Sequence, residues 1–430
     1  MKFTAAGDAL IQRRIHDTFE GLDEIAPFVE KGDARFFNLE TTLNYEGDAP
    51  GGQFSGGTYV RCNPECLDDM MMFGFNMTSF NNNHAFDFGH EGFLQTLDYV
   101  NESGIVHSGT GMNLDEASAP KFLETKNGRV ALIAVNTSFN PAMMAGIQGR
   151  RTPGRPGING IRLDEHFTVT PEELEFIKSF ATKTGINVSK EITRKEGYYP
   201  ELADGEAEFG IYRFKAGEKT KRHLTPNKAD MARLQKAIYE ASMQADYIMV
   251  SIHSHQITGE LKEQVPDFLE EICHAAIDMG ANAVIGHGPH LLRPVEVYKD
   301  SPIFYCLGDF VLELYSIEFA PEDFYEKQSL TSSDTVHDLL KKRSANFTRG
   351  LMEDMRMMQT VIPYWETEGG KLTKLEFLPI ELVKNGNKSE EGLPRIAKNL
   401  EFMEYFAKIS EPYGVKMKYD EKAGVYTCQW

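Results

Sequence analysis

Aspartate, glutamate, asparagine and histidine side chains recur in five short groups along this sequence. The groups are Gly7-Asp8, Asn38-Leu39-Glu40, Asn83-His84 with Asp87, the stretch His253-Ser254-His255, and His287-Gly288-Pro289-His290. Carboxylate, amide oxygen and imidazole are ligands that suit divalent cations such as Mn, Zn or Fe. Two such cations a few ångström apart can activate a water molecule and bind the oxygens of a substrate. Glu40 is the natural candidate for the carboxylate that bridges them.

Each group follows a segment whose pattern predicts a β-strand. The predicted strands are residues 2–6, 34–39, 75–80, 247–252 and 283–285, together with 130–135, and helices are predicted at 91–103, 230–244 and 265–279. Alternating strands and helices indicate a layered α/β fold. Ligands in such folds lie beyond the carboxyl ends of the strands, so we expect the five groups to share one sheet edge.

The pattern also predicts how the chain is divided. Residues 358–366 and 372–382 predict a hairpin that completes a second sheet, and 392–430 predict a helix and a short closing strand. Residues 149–228 are too long and too polar for a connection within a compact domain, so we expect an inserted segment that caps the site, with a helix at 171–184. We therefore predict one domain at 1–385 with an insertion at about 149–228, and a segment at 386–430 packed on it.

Composition excludes several classes of partner. The net charge of −19 argues against nucleic acid and against an anionic membrane surface. No apolar run is long enough for a transmembrane helix, and Asp8 interrupts any signal-peptide core, so we expect a cytoplasmic protein unless an export segment precedes Met1. Five sparse cysteines fit a reducing compartment, and Cys62 and Cys66 are interpreted as buried thiols instead of zinc ligands.

The order of the motifs resembles one known family. Gly-Asp, Asn-Leu-Glu, Asn-Asn-His-x-x-Asp-x-Gly, His and Gly-His-x-Pro-His follow one another as in the CapA family of poly-γ-glutamate capsule biosynthesis, within the calcineurin-like metallophosphoesterase superfamily. The most specific stretches are residues 284–298 and 302–311, and the resemblance extends over about 1–145 and 230–315.

The resemblance implies a fold, a cofactor and a set of roles. The fold would be a four-layer α/β/β/α sandwich of the metallophosphoesterase type, with two divalent metal ions. His84 would be a catalytic acid oriented by Asp87, since an imidazole held by a carboxylate is a suitable proton donor near neutral pH. The implied metal ligands are Asp8, Glu40, Asn83, His253, His287 and His290.

This sequence departs from the superfamily pattern at three positions. Leu10 stands where Asp-x-His has its histidine, which would leave one metal with a poorer ligand set. Asp309 stands where the family commonly has asparagine, and we assign this added carboxylate to the substrate-binding residues. His255 is either a further metal ligand or a residue that positions the ligands, and both interpretations stay open.

The resemblance implies a metal-dependent hydrolase that uses a metal-activated water on a phosphoester or a glutamyl amide. Two alternatives are a metal-dependent peptide epimerase that abstracts a proton, and a non-enzymatic capsule-assembly protein, because a fold does not determine an activity. Metal binding does not require the His84–Asp87 pair, so its presence favours an enzyme. The expected partner is a small anionic or glutamyl-polymer substrate.

Three arginines, Arg150, Arg151 and Arg155, form a basic stretch at the start of the predicted insertion. They are either a solvated loop or a clamp for a carboxylate or phosphate group, and Arg13 and Arg14 could join them. If they are a clamp, replacing all three with glutamine should raise KM for an acidic substrate and leave a neutral analogue nearly unaffected. Steady-state kinetics on both substrates tests this, and equal effects on the two would identify a solvated connection.

Overall fold

Strands and helices alternate along the chain in the computed structural model, which describes residues 1–430. The strands are β1 (Lys2–Leu10), β2 (Ala34–Leu39), β3 (Thr42–Leu43), β4 (Arg61–Cys62), β5 (Met77–Ser79), β6 (Val106–Ser108), β7 (Thr110–Gly111), β8 (Lys121–Thr125), β9 (Gly128–Asn136), β10 (Gly157–Ile158), β11 (Leu163–Val169), β12 (Glu206–Phe209), β13 (Tyr212–Ala216), β14 (Lys221–Pro226), β15 (Tyr247–His253), β16 (Ala283–His287), β17 (Leu292–Tyr298), β18 (Ser301–Leu307), β19 (Asp309–Leu312), β20 (Gln359–Glu368), β21 (Lys371–Leu382), β22 (Pro394–Ile396), β23 (Lys416–Asp420) and β24 (Val425–Gln429).

The helices connect these strands and cover the sheets. They are α1 (Glu20–Val29), α2 (Cys66–Met72), α3 (Gly89–Ser103), α4 (Leu114–Ser118), α5 (Pro171–Thr184), α6 (Val188–Lys195), α7 (Lys228–Ser242), α8 (Asp267–Asp278), α9 (Glu322–Lys327), α10 (Val336–Arg343) and α11 (Glu401–Ser410). None of them combines the length and the apolar character that a bilayer-spanning helix needs. The predicted α/β class is confirmed.

Two large sheets contain the strands that precede the polar groups. The ten-stranded sheet has the order β23-β24-β21-β20-β1-β2-β5-β6, with β19 beside β1 and β22 beside β21. The six-stranded sheet has the order β17-β18-β16-β15-β9-β8. Strands β1, β2 and β5 pair in parallel in the first sheet, and β9, β15 and β16 do so in the second. The expectation of one shared edge was therefore wrong, because the strands that carry the groups belong to two sheets.

Apolar side chains from both sheets form a common core. Phe3 of β1 stacks on Tyr247 of β15 with ring centroids 4.1 Å apart, and on Trp365 of β20 at 5.2 Å. The Trp365 indole N–H donates to the Tyr247 hydroxyl at 3.0 Å, which satisfies the polar atoms of both rings. The opposite face of the ten-stranded sheet packs against α1 and α2 through residues such as Ile25 and Met70.

The late hairpin was correctly placed along the chain but was assigned to the wrong sheet. Its strands β20 and β21 join the sheet that contains β1, where β20 pairs antiparallel with Lys2–Thr4. Periodicity identifies a strand but not its partner, because pairing is decided by packing between distant segments. The C-terminal segment contains α11 and three strands, β22, β23 and β24, where the sequence predicted one strand.

Residues Ile161–Met231 form a second compact unit. Its four-stranded sheet has the order β12-β13-β11-β14, and α5 begins with a capping box between Thr170 and Glu173. Val169, Leu174 and Ala207 form its small core. The sequence placed an insertion at about 149–228, whereas the structure assigns the arginine stretch before Ile161 to the first unit. That the second unit caps a site stays a prediction.

The core between the sheets predicts a contrast between the two tryptophans of the chain. Trp365 is completely buried and Trp430 is 47% exposed. Trp365→Ala should lower the free energy of unfolding by about 3–5 kcal/mol through lost packing, while Trp430→Ala should change it by no more than about 0.5 kcal/mol. Urea denaturation followed by circular dichroism measures both, and equal midpoints would contradict the assignment of Trp365 to the core.

Candidate metal centre

Asp8 lies near the end of β1, where the strand runs against the connection between β18 and β19. A Cβ on Gly7 would lie 1.8 Å from the Gly308 carbonyl oxygen, so only glycine permits this close approach. The Asp8 amide donates to that same carbonyl at 2.9 Å, and Asp8 stands in register with Asp309 of β19. The Gly-Asp sequence thus places two buried carboxylates on adjacent parallel strands.

Strand β2 contributes Asn38, and Glu40 comes directly after its last residue, Leu39. Asn38 Nδ2 donates to Asp8 Oδ1 at 2.7 Å, and the Gly288 amide donates to Asp8 Oδ2 at 2.8 Å. Glu40 is fully buried, and neither of its carboxylate oxygens has a hydrogen-bond partner. Leaving a buried carboxylate without a partner is costly, so Glu40 requires a cation or a proton.

Two histidines face these carboxylates from the six-stranded sheet. His253 ends β15 and His287 ends β16, and they stand in register with their Nδ1 atoms 2.8 Å apart. Asp8 Oδ1 lies 3.8 Å from His253 Nδ1 and 3.5 Å from His287 Nδ1. Ser251 Oγ bonds the other His287 nitrogen at 2.7 Å and so fixes that ring. Asp8, His253 and His287 therefore face one another as the ligands of one cation would.

The loops after the strands complete the cluster. Asn83 Oδ1 lies 2.6 Å from His253 Nε2 and 3.0 Å from His255 Nε2. Glu40 Oε1 is 3.4 Å from His253 Nε2 and 3.7 Å from His255 Nε2. His290, in the left-handed region at φ 63°, directs Nδ1 to Asp309 Oδ1 at 2.8 Å.

Three overlapping sets of side chains have ligand atoms within 4.8 Å of one another. They are Asp8, His253 and His287; Glu40, His253 and His255; and Asp8, Glu40, His290 and Asp309. Asp8, Glu40 and His253 each appear in two of the sets, so the sets describe neighbouring positions within one cluster. Buried groups of this kind can hold a metal ion, as the sequence predicted; the number of ions stays a prediction.

Burial shifts the pKa values of the carboxylates and imidazoles in the cluster. Burial and the neighbouring Asp309 raise the pKa of Asp8 to about 7. Burial, together with Asp8, raises the pKa of Glu40 well above its usual range, and burial raises that of Asp309. Burial lowers the pKa of His287 to about 3, so this imidazole is neutral and its lone pair is available. Several buried carboxylates that cannot ionise together fit a site that is neutralised by divalent cations.

His84 and Asp87 form a pair beside the cluster. His84 Nδ1 lies 2.6 Å from Asp87 Oδ2, and Asp87 also accepts the amides of Gly56 and Val60, each at 2.8 Å. A Cβ on Gly56 would lie 2.6 Å from the His84 ring and from Asn83 Nδ2, so glycine permits this loop to pack closely on the pair. His84 belongs to none of the three candidate ligand sets.

The predicted anion-binding arginines do not contact this cluster. Arg150 and Arg151 are exposed, and the Arg155 guanidinium donates to the Met144 carbonyl. Arg13 bonds Glu313, and Arg14 forms a two-pronged pair with Asp69. Arg13 and Arg14 thus form ion pairs within the protein. The anion-binding role of Arg150, Arg151 and Arg155 stays a prediction.

Sequence reasoning missed three features of the cluster. Asn38 was quoted within a motif but given no role, although it lies near the end of β2, two residues before Glu40. Ser251 has the same relation to His253 on β15. Asp309 was assigned to substrate binding, but its contact with His290 and its register with Asp8 place it among the candidate ligands.

The fold and the cluster define a class: a mixed α/β protein with a buried carboxylate–imidazole centre where the parallel strands of two sheets end. Residues 2–313 match the family described as bacterial capsule synthesis protein PGA_cap. The chain belongs to this family, which is part of the metallophosphoesterase-like superfamily. The resemblance noted in the sequence is confirmed.

Relatives include proteins named for capsule synthesis. The "Uncharacterized protein y4sH" of Sinorhizobium fredii is 29% identical over 437 aligned residues, which cover 98% of this chain and 92% of that protein. The "PGA biosynthesis protein CapA" of Bacillus subtilis is 31% identical over 156 residues, covering 32% of this chain and 37% of the relative. The "Capsule biosynthesis protein CapA" of Bacillus anthracis is 22% identical over 321 residues, covering 73% and 60%.

The cluster predicts which substitutions remove metal. Purified protein should contain divalent metal, and Asp8→Ala and His290→Ala should lose it because each deletes a buried ligand. Asp309→Asn should also reduce metal content, which a purely substrate-binding role would not predict. Inductively coupled plasma mass spectrometry measures these contents, with His274→Ala as a control because His274 bonds Glu296 and belongs to none of the sets. Full metal content in the Asp8 and His290 variants would exclude both residues as ligands.

Proposed function

We propose that this protein is a metal-dependent hydrolase that acts on a phosphoester or a glutamyl amide. The observation that carries the proposal is that two different groups of residues lie side by side. One is a buried cluster of carboxylates and imidazoles with unpaired oxygens on Glu40 and Asp309. The other is the His84–Asp87 pair, which holding a cation does not require.

The proposed site holds two divalent ions, for which Mn, Zn and Fe are all suited to this mixture of ligands. Bound there, they would lower the pKa of a water molecule and orient the oxygens of the substrate. The chain's own contribution is to fix the ligands from strand ends. The proposed ligands are Asp8, Glu40, Asn83, His253, His255, His287, His290 and Asp309.

His84 is proposed to donate a proton to the leaving group. Asp87 holds the Nδ1 side of the ring, which leaves Nε2 as the atom that meets the substrate. The Asp87 carboxylate is itself fixed by two backbone amides, so the ring is held in one orientation. An imidazole positioned in this way can protonate an alkoxide or amine as it departs.

The substrate class is proposed from the names of the relatives and from the family. Two of the relatives are named for capsule or PGA biosynthesis. Their names support a substrate that is either a glutamyl polymer or a small anionic molecule. We also propose that the two packed sheets and their helices are the four-layer α/β/β/α sandwich, and that Ile161–Met231 is the cap. A purely structural role in capsule assembly would not need the His84–Asp87 pair.

A substitution at His84 tests the proposed chemistry. His84→Asn should retain the fold and bound metal but lower kcat by about 10²–10⁴-fold, because a general acid contributes on that order. The assay compares an aryl phosphate ester with a γ-glutamyl anilide on metal-loaded protein.

The matched control is His107→Asn, which replaces a buried imidazole that bonds Asn101. This control should keep full turnover. An unchanged kcat in His84→Asn would assign His84 a structural role, and the absence of hydrolysis of both substrate classes by the unmodified protein would contradict the hydrolase proposal.

A further inference from the structure

A cavity of about 360 Å³ lies in the first unit, apart from the candidate ligands. Its walls come from four parts of the chain: the loop between β3 and β4, the loop after β15, the segment after β19, and the end of α10 with the turns that follow it. The lining residues are Thr58, Lys262, Leu314, Tyr315, Leu340, Arg343, Ser344, Arg349, Gly350, Leu351, Met352, Asp354 and Met357.

Three cations on this lining have no carboxylate partner. Lys262, Arg343 and Arg349 form no ion pair, although the chain carries 64 acidic residues against 45 basic ones. The one carboxylate on the lining, Asp354, is bound by Arg356, which donates to both of its oxygens. The cavity is therefore a concentration of positive charge within an acidic protein, and such a concentration attracts anions.

Arg343 is held in place without being neutralised. Its guanidinium donates to the Thr58 hydroxyl and lies 5.0 Å from the centre of the Phe324 ring. Burial lowers the pKa of Arg343, which means that the protein surroundings do not compensate its charge. A partly buried guanidinium of this kind has donors free for a bidentate contact with a carboxylate or phosphate.

Lys262 is positioned by a buried arginine behind it. Arg293 is 1% exposed and donates to the carbonyls of Lys262 and Gln256, so it ties down the loop that follows His255. The backbone at Lys262 is therefore anchored to a buried side chain of β17.

The cavity adjoins the candidate metal centre through two segments. Thr58 lies between Gly56 and Val60, whose amides both bond Asp87. The cluster of apolar residues beneath the cavity includes Leu291, which follows His290, and Leu10, which follows Asp8 by two positions.

We propose that this cavity binds the anionic part of the substrate, a carboxylate or phosphate group, while the reacting bond lies at the metal centre. The apolar side chains of Leu314, Met352 and Met357 would pack against the aliphatic portion that carries the anion. This assignment rests on the proposed hydrolase function and gives it a substrate class: an acidic molecule with an apolar linker between the anion and the reacting bond.

Binding measurements on the metal-loaded protein test the assignment without requiring turnover. The probes are a γ-glutamyl pentapeptide, its neutral amidated analogue and inorganic phosphate, each titrated by calorimetry. Lys262→Gln combined with Arg349→Gln should weaken binding of the pentapeptide at least about tenfold, because two charge-assisted contacts are lost. Arg343→Gln should weaken it similarly, and the neutral analogue should be unaffected in all variants. A similar dependence for inorganic phosphate would identify a phosphate-bearing ligand.

The matched control is Lys341→Gln combined with Lys342→Gln, which removes the same charge from exposed positions of α10. This control should leave binding of the pentapeptide within about twofold of the unmodified protein, since exposed charges contribute little. Equal weakening by the control, unchanged binding in the cavity variants, or failure of the unmodified protein to bind either anion would overturn the assignment.

The two proposals fail in different ways. Loss of anion binding in the cavity variants without hydrolysis of any substrate would contradict the hydrolase and leave the cavity as an anion-binding site without the assigned substrate. Hydrolysis with unchanged KM in the cavity variants would contradict the cavity assignment and leave the hydrolase standing.

Discussion

The burial of three carboxylates in one cluster, without enough positive charge to neutralise them, is the constraint on which the rest of this structure depends. Asp8 has two protein donors, but Glu40 has none and Asp309 leaves one oxygen unpaired. Desolvating such groups is unfavourable unless a cation or a proton compensates it. The neutral imidazoles around them offer lone pairs instead of charge. The cluster therefore has the charge and the donor atoms that a divalent cation would satisfy.

The division of the ligands between two sheets makes the core between the sheets part of the site. Asp8 lies near the end of β1 and Glu40 follows β2 in one sheet, whereas His253 and His287 end strands of the other. Their separation is set by how the sheets pack, and the sheets pack through rings such as Phe3, only five positions before Asp8 along β1. Protein cores are close-packed and transmit small displacements, so a change in that core alters distances between ligands.

The sequence predicted the strand ends and the residues that follow them, because an apolar run ending in a carboxylate or imidazole is a local signal. It did not predict which sheet each strand joins, since pairing depends on contacts between segments hundreds of residues apart. Asp309 is an example: its place among the candidate ligands follows from the parallel pairing of β19 with the end of β1, which no local pattern indicates. Arg14 was likewise grouped with possible anion binders, although its partner Asp69 lies 55 positions away. The cavity cations, of which Arg343 is one, were missed because they come from separate loops that have no shared motif.

The ligands are spread along most of the chain, from Asp8 on the first strand to Asp309 on the nineteenth. During synthesis, the first carboxylate leaves the ribosome long before the last one has been made, with an interval on the order of tens of seconds at about 5–20 residues per second. Throughout this interval β1 pairs only with strands made early, such as β2, and lacks β19. A nascent chain therefore contains the complete set of candidate ligands only once synthesis has passed Asp309. If the proposed metal binds to the full set, selection among the available metals takes place after that point.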